Sequence, residues 1–244
     1  LALAPLGELA RSGDGAAAAR LAGFIGSDPD WPVRARAAEL GSGIAPAQAA
    51  LVGAARDPEP RVREAALQAL ATSPPPAAFL VAREVLHDDG WSFVKAQAVG
   101  VLAHAPDSPT VDEALRVAMN DPAVRVRALA LHAVALRHTR ALHGAVRERL
   151  DDAREDVEVR AAAAAAAGAL CDDSSADRLT ELARRLAAPS SEEDQQVAFG
   201  ALLGLAALHP VDLHERLAPL LARNAPPSVR TAAQNALSAR GMCR

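Results

Sequence analysis

The chain has 244 residues, half of them apolar, yet it holds no tyrosine, four phenylalanines and two tryptophans, so alanine supplies much of its apolar character. A net charge of −4, with Lys95 the single lysine, excludes the overall basic character of a nucleic-acid binder. Two cysteines are too few for a disulfide framework, and no run of eighteen residues is apolar enough to cross a membrane.

In chain order, the first predicted helix runs from Leu3 to Arg11 and stops at Ser12-Gly13-Asp14-Gly15. It reads as the second helix of a preceding partial repeat, and with no initiator methionine the chain reads as one domain of a longer protein. The opening residues lack the positive region of a signal peptide. Helix pairs then follow at 16–25 with 32–40, 47–56 with 59–71, 77–86 with 91–103, and 110–119 with 122–137. Three more follow at 141–150 with 155–171, 175–187 with 192–207, and 213–223 with 227–240. Gly41-Ser42-Gly43 and Ser73-Pro74-Pro75-Pro76 are firm stops. The seven-alanine run from Ala161 favours helix strongly. A longer surface loop is expected at Ala188-Pro189-Ser190-Ser191.

The pairs come into register on one valine: Val33, Val62, Val94, Val126, Val159, Val197 and Val229. The residue after it is Arg34, Arg63, Lys95, Arg127, Arg160, Ala198 or Arg230, a cation in six of seven copies. Five before it stand Asp28, Asp57, Asp89, Asp121, Arg154, Glu192 and Asn224. The acids there suit a helix N-cap, with Pro29, Pro58 and Pro122 expected at the first helical position. Beyond the valine, small and apolar residues recur at i, i+4, i+7 and i+8, as in Val62, Ala66, Ala69 and Leu70. That is one apolar helix face. A helix pair repeating about every 32 residues is the signature of a solenoid, whose units bury their apolar faces only by stacking.

The pattern Asp-Pro-x-x-x-Val-Arg-x-x-Ala-x-x-Ala-Leu, nearest in Asp57-Pro58 through Val62-Arg63, Ala66 and Ala69-Leu70, resembles the short bacterial HEAT-like repeats also found in phycobilin lyases. The resemblance implies an all-α fold. The expectation is a right-handed α-solenoid of about seven antiparallel helix pairs plus a partial N-terminal unit, forming a single domain over 1–244.

The cation ladder, Arg34, Arg63, Lys95, Arg127, Arg160 and Arg230, invites reading as a phosphate-binding groove. The acid six positions earlier in most copies assigns each cation instead to a carboxylate of its own or the adjacent repeat, as HEAT-like proteins do. Exposed pairs of that kind contribute only about 0–1 kcal/mol each, so register is their expected role. HEAT-like deoxyhypusine hydroxylases hold two irons with repeated His-Glu pairs, and here only His214-Glu215 matches. No zinc spacing, phosphate-binding glycine loop or nucleophile elbow appears. No catalytic residue, metal or cofactor is therefore expected. Cys171 and Cys243 are expected as unpaired, buried small hydrophobes that do not decide a compartment, the cytoplasm being the default.

Charge is uneven along the chain. From Arg116 to Arg149 there are seven arginines against Asp121 and Glu148, and from Asp151 to Asp194 twelve acids against five arginines. The basic section is a candidate for steering a charged partner or a lipid headgroup. In HEAT-like solenoids the second helices line the concave surface. On that stripe Arg61, Phe93, Arg125, His132, Phe199 and Leu203 are the candidate partner-binding residues, the apolar ones being either interface anchors or fillers between repeats. The function expected is a non-catalytic protein-binding scaffold, a monomer serving another protein or another domain of the same chain. Nucleic-acid binding through the central arginines and an accessory role of the phycobilin-lyase type are the alternatives.

Overall fold

The computed structural model describes residues 3–188 and 191–243. Pro189 and Ser190, the centre of the expected surface loop, lie outside the described residues. Fifteen α-helices occur among the described residues, and every long element is helical. They are α1 (Leu3–Arg11), α2 (Gly15–Ser27), α3 (Trp31–Leu40), α4 (Gln48–Ala54), α5 (Pro60–Ala71), α6 (Pro76–Asp88), α7 (Ser92–Leu102) and α8 (Pro109–Ala118). Then come α9 (Val124–Leu136), α10 (His143–Asp151), α11 (Val157–Ala169), α12 (Ala176–Arg184), α13 (Glu192–Leu208), α14 (Leu213–Leu221) and α15 (Pro227–Ser238). The lone α1 followed by seven pairs matches the pattern read from the valine register.

The helices gather into two compact units, the first ending at Ala118 and the second starting at Met119. In the first, second helix packs on second helix in the order α3, α5, α7, and first on first in the order α2, α4, α6, α8. The second unit stacks α9, α11, α13 and α15 in the same way. The register valines supply the shared interior: all but the half-buried Val33 are buried. Each such side chain removed from water contributes about 1.5–3 kcal/mol.

Small residues set how closely these helices approach. Gly168 of α11 faces Gly204 of α13, and Gly200 faces Ala161, so closely that a Cβ on any of the three glycines would run into the opposing backbone. The polyalanine face of α11 and the Gly200/Gly204 face of α13 thus meet backbone to backbone.

Two sequence expectations are corrected. The second helices start three residues after the repeated aspartates, so these are not N-caps. Instead Asp28, Asp57, Asp89 and Asp121 each accept from the backbone N–H two residues on, at 2.8–2.9 Å. The proline after Asp28, Asp57 and Asp121 pushes the aspartate away from helical geometry, and the helix begins only beyond that turn.

The cysteines are also not unpaired: Cys171 and Cys243 form a disulfide. After α15 the chain folds back over the end of α13, where the Met242 N–H donates to the Ala207 carbonyl (2.9 Å) and Gly241 lies on His209. This strap carries Cys243 to Cys171, just past the end of α11. Stable disulfides belong to oxidising surroundings, which removes the ground for a cytoplasmic default.

Candidate interaction surface

Three second helices, α3, α5 and α9, open with the same polar device. Arg34 donates through Nη1 to the Asp28 carbonyl of its own repeat (2.9 Å) and grips Asp57 of the next repeat with Nε and Nη2 (2.7 and 2.9 Å). Arg63 repeats this on the Asp57 carbonyl and on Asp89, and Arg127 on the Asp121 carbonyl and on Glu155. One guanidinium thereby ties a turn to its successor, using the planar fork that lysine lacks. Lys95 holds the same place in α7.

These pairs are not exposed. The carboxylate side chains are 9% accessible at Asp57 and 4% at Asp89 and Glu155. Burial raises the pKa of Asp57 and Glu155, but hydrogen bonds from Arg34 and Arg127 overcome it and leave both below the ordinary carboxylate range. The ladder therefore contributes more than the surface-pair energy expected from sequence.

It ends where the motif ends. Arg160 reaches the Leu150 carbonyl (3.5 Å) and Arg230 the Arg223 carbonyl (3.2 Å), and neither makes an ion pair among the described residues. Arg154, at the aligned acid position, takes no part. Glu155, one residue later, receives Arg127, a role the fixed register concealed.

The same pairing consumes the central arginines. Arg127 and Arg149 both meet Glu155, Arg147 meets Asp172, and Arg178 of the acidic section meets Asp151. Three arginines of the basic section, Arg127, Arg147 and Arg149, are thus engaged by Glu155 and Asp172 of the acidic section.

The ladder leaves the outer flank of the second helices free for other contacts. In the first unit Arg61, in the first turn of α5, donates to Glu64 (2.9 Å) and lies 4.4 Å from the centre of the Phe93 ring. Phe93 in turn packs at 5.5 Å on Trp91, which precedes α7. Trp31 opens α3 and walls a cleft of about 410 Å³ with Arg61, Glu64 and Gln68 opposite and Ala35 and Ala65 between. Trp31 and Trp91, the only tryptophans in the chain, are 44% and 53% exposed.

Arg61 and Phe93, both singled out from sequence, are thus brought together. The tryptophans were missed, although the scarcity of aromatics at helix starts was a usable signal. A guanidinium over an aromatic face contributes about 0.5–1 kcal/mol at an exposed site.

In the second unit Arg125 and His132 are exposed on α9, beside an exposed Leu136. Phe199 and Leu203 share α13. Both are exposed, Leu203 to 64% and Phe199 to 37%, and Phe199 also lines a cavity of about 470 Å³ with Leu186, Asn224 and Pro226.

A further cleft of about 510 Å³ between α6 and α8 is lined by Leu80 and Val117, both exposed, together with Arg83 and Glu113. Among the described residues, no group of three His, Cys, Asp or Glu side chains is placed to hold a metal, and no helix is long and apolar enough to cross a membrane.

Residues 27–103, about a third of the chain, match the family of HEAT repeats. The matched span runs from the end of α2 through α7 and holds the Arg34–Asp57 and Arg63–Asp89 links together with Trp31, Arg61, Trp91 and Phe93. Over that span the chain is HEAT-like, the all-α helical-repeat architecture continues through the described residues, and the match does not single out the phycobilin-lyase type. No curated protein matches the chain.

Proposed function

We propose that this HEAT-like chain is a non-catalytic scaffold that holds a partner protein against the second-helix flank of its first unit. One observation carries the reading. In a chain whose interior is alanine, leucine and valine, both tryptophans are exposed, Trp31 at the start of α3 and Trp91 just before α7, with Arg61 of the intervening α5 lining the Trp31 cleft and stacking on Phe93 beside Trp91. Aromatic residues and arginine are the side chains that most often anchor protein interfaces. Arg125, His132, Leu136 and Leu203 extend the reading to the second unit, as does Phe199 at its cavity. HEAT repeats commonly serve protein interaction, and the helical frame supports that use.

Nucleic-acid binding has less support. Arg127, Arg147 and Arg149, three of the arginines that suggested it, are engaged by acids of the chain itself. No observation favours the phycobilin-lyase reading.

The test is capture from the native host's lysate with nuclease present, comparing the full chain with a Trp31→Ala/Phe93→Ala variant. A stoichiometric protein held by the parent and lost by the variant supports the reading. A partner indifferent to these substitutions, or recovery of nucleic acid alone, overturns it. Charge reversal at Arg125 and His132 checks the second unit in the same assay.

A further inference from the structure

We infer that the Cys171–Cys243 disulfide is a redox latch on α15: a dithiol reductant opens it and frees α15 with the strap that follows, while the rest of the second unit stays folded. The inference is independent of the scaffold reading, since it concerns the other unit and needs no partner.

The first observation is a missing link at the N-terminal ends. Where α9 carries Arg127, α13 carries Ala198, and where the next repeat would offer a carboxylate it has Asn224. The guanidinium fork that joins Arg127 to Glu155 therefore has no counterpart between α13 and α15. Arg230, in the first turn of α15, turns to the Arg223 carbonyl of its own repeat (3.2 Å).

The second observation is packing. α15 buries Val229, Ala233 and Ala236, whereas α13 buries Leu202, Leu205 and Leu208 besides its smaller residues. Apolar stabilisation follows the area removed from water, so α15 is held less firmly than α13. α14 has an anchor of its own. Arg216 donates to Asp177 (2.7 Å) and to the Thr180 hydroxyl (3.0 Å) on α12, which keeps α14 in place when α15 leaves.

The third observation is where α15 is tied. His209 faces the Leu237 carbonyl, the Met242 N–H donates to the Ala207 carbonyl, and Cys243 is bonded to Cys171, all at the C-terminal end of the helix or beyond it. Among the strap residues 239–243 none is buried, and Arg240 and Met242 are exposed. Two hydrogen bonds beside water offset little of the entropy lost in ordering such a segment, so the covalent bond is what keeps it down. Both cysteines are half-buried, within reach of a small thiol.

Opening is a thiol–disulfide exchange. One thiolate of the dithiol attacks a cysteine sulfur, forming a mixed disulfide and releasing the other cysteine. The second thiolate of the dithiol then attacks the mixed disulfide and closes its own ring. Two electrons and two protons pass from the dithiol to the cysteines, which end as free thiols. A helix of 12 residues is marginal in water by itself, so α15 unwinds once released.

Hydrogen exchange read by mass spectrometry on the full chain, oxidised and in excess dithiothreitol, tests this, with thiol labelling to confirm that both cysteines are free. In the reduced chain the amides of α15 and the strap should exchange at least about tenfold faster, while α9 to α12 keep their protection. Trypsin should then cut faster after Arg230. Cys243→Ser should behave as the reduced chain with or without reductant, and reoxidation of the parent should restore slow exchange. Unchanged exchange in α15 after both thiols are labelled would overturn the inference, as would slow α15 exchange in Cys243→Ser. So would loss of protection throughout the second unit at once, or a bond that resists excess dithiothreitol in the folded chain.

Discussion

Alanine for Gly200 and alanine for Gly23 are the same chemical change in two helices, and the structure assigns them opposite signs. Exchanging glycine for alanine in a helix interior is worth up to about 1 kcal/mol in favour of folding. Gly23 of α2 is exposed and a Cβ there meets nothing within 4 Å, so Gly23→Ala should realise most of that gain. At Gly200 the new Cβ would lie 2.9 Å from the carbonyl carbon and Cα of Ala161, and nearer still to its oxygen. Carbon atoms rest at about 3.5–4.0 Å, so α11 and α13 must part by more than half an ångström along a contact that is backbone on both sides. Overpacking of this kind costs about 1–3 kcal/mol, and no flexible side chain is present to yield. Because both surfaces are backbone the upper part of that range applies, and less the helix gain the net expectation is a loss of about 1–2 kcal/mol for Gly200→Ala. At about 2–4 °C per kcal/mol for a chain of this size, thermal unfolding followed by far-ultraviolet circular dichroism should fall by roughly 2–8 °C. Gly23→Ala should rise by about 2–4 °C. A Gly200→Ala protein as stable as its parent would refute the backbone contact between α11 and α13.

Asp57→Asn removes the carboxylate from a link whose partners are 14% and 9% exposed, and should cost on the order of 2–3 kcal/mol in urea unfolding, between exposed and fully buried pairs; a cost under about 0.5 kcal/mol would make the ladder ornamental. Asp57 and Glu155 have lowered pKa values in the folded chain, so their contribution is complete above the ordinary carboxylate range. It should fade as pH drops below about 4, and an unfolding midpoint flat from neutrality to pH 3 would contradict the sign. Cys171→Ser or reduction opens a loop spanning 72 positions, for which the chain-entropy account gives about 4 kcal/mol. Matching unfolding curves for the oxidised and reduced forms would show that the strap holds without its bond. Among the described residues the buried Thr139 hydroxyl has no hydrogen-bond partner, so Thr139→Val should be neutral or stabilise by up to about 1 kcal/mol, whereas a clear loss would reveal a partner for it.

The helix pairs were legible because burial imposes a period. Only residues repeating every 32 or so, at helical spacing, can stack unit on unit, and the register valines carry that rule. Partner choice was less legible. Six residues separate Arg34 from Asp28 and twenty-three from Asp57, and only the stacked geometry decides that the side chain of the more distant one is gripped while the nearer one lends its carbonyl. The aspartates were read as N-caps, which would start the helices two residues early, because aspartate before proline satisfies both a capping rule and a turn rule, and the claim of Arg on the carboxylate favours the turn. Trp31 and Trp91 escaped because they stand two and three residues before their valines, off the stripe drawn from Phe93 and Arg61. The cysteines escaped because their pairing depends on a five-residue strap crossing an intervening helix end, which no local pattern encodes.

Twelve residues after the valine, the second unit answers one structural demand in four ways. His138, Cys171, His209 and Gly241 occupy that position, and the first three adopt the left-handed backbone (φ of 51°, 58° and 50°) that usually calls for glycine at a helix end. A side chain in that conformation costs about 1–2 kcal/mol, so glycine would be the cheaper choice unless the side chain does something glycine cannot. In each case it reaches the following repeats. His138 donates from Nδ1 to the Ala169 carbonyl in the last turn of α11 (3.0 Å), Cys171 is bonded to Cys243, and His209 Nε2 faces the Leu237 carbonyl in the last turn of α15 (3.4 Å). Carbonyls in the last turn of a helix lack partners within it, so the imidazole groups fill a vacancy and tie successive second helices at once. The equivalent residues of the first unit are Ala45, Pro74 and Pro106, and there the ends of α3 and α5 meet through Ser42, whose hydroxyl lies 3.1 Å from the Thr72 hydroxyl and 3.5 Å from the Ala69 carbonyl. The second helices of the first unit are linked at their N-terminal ends by the Arg34 and Arg63 forks beside the aromatic flank. In the second unit the Arg127 fork at one end is joined by the histidine and disulfide ties at the other.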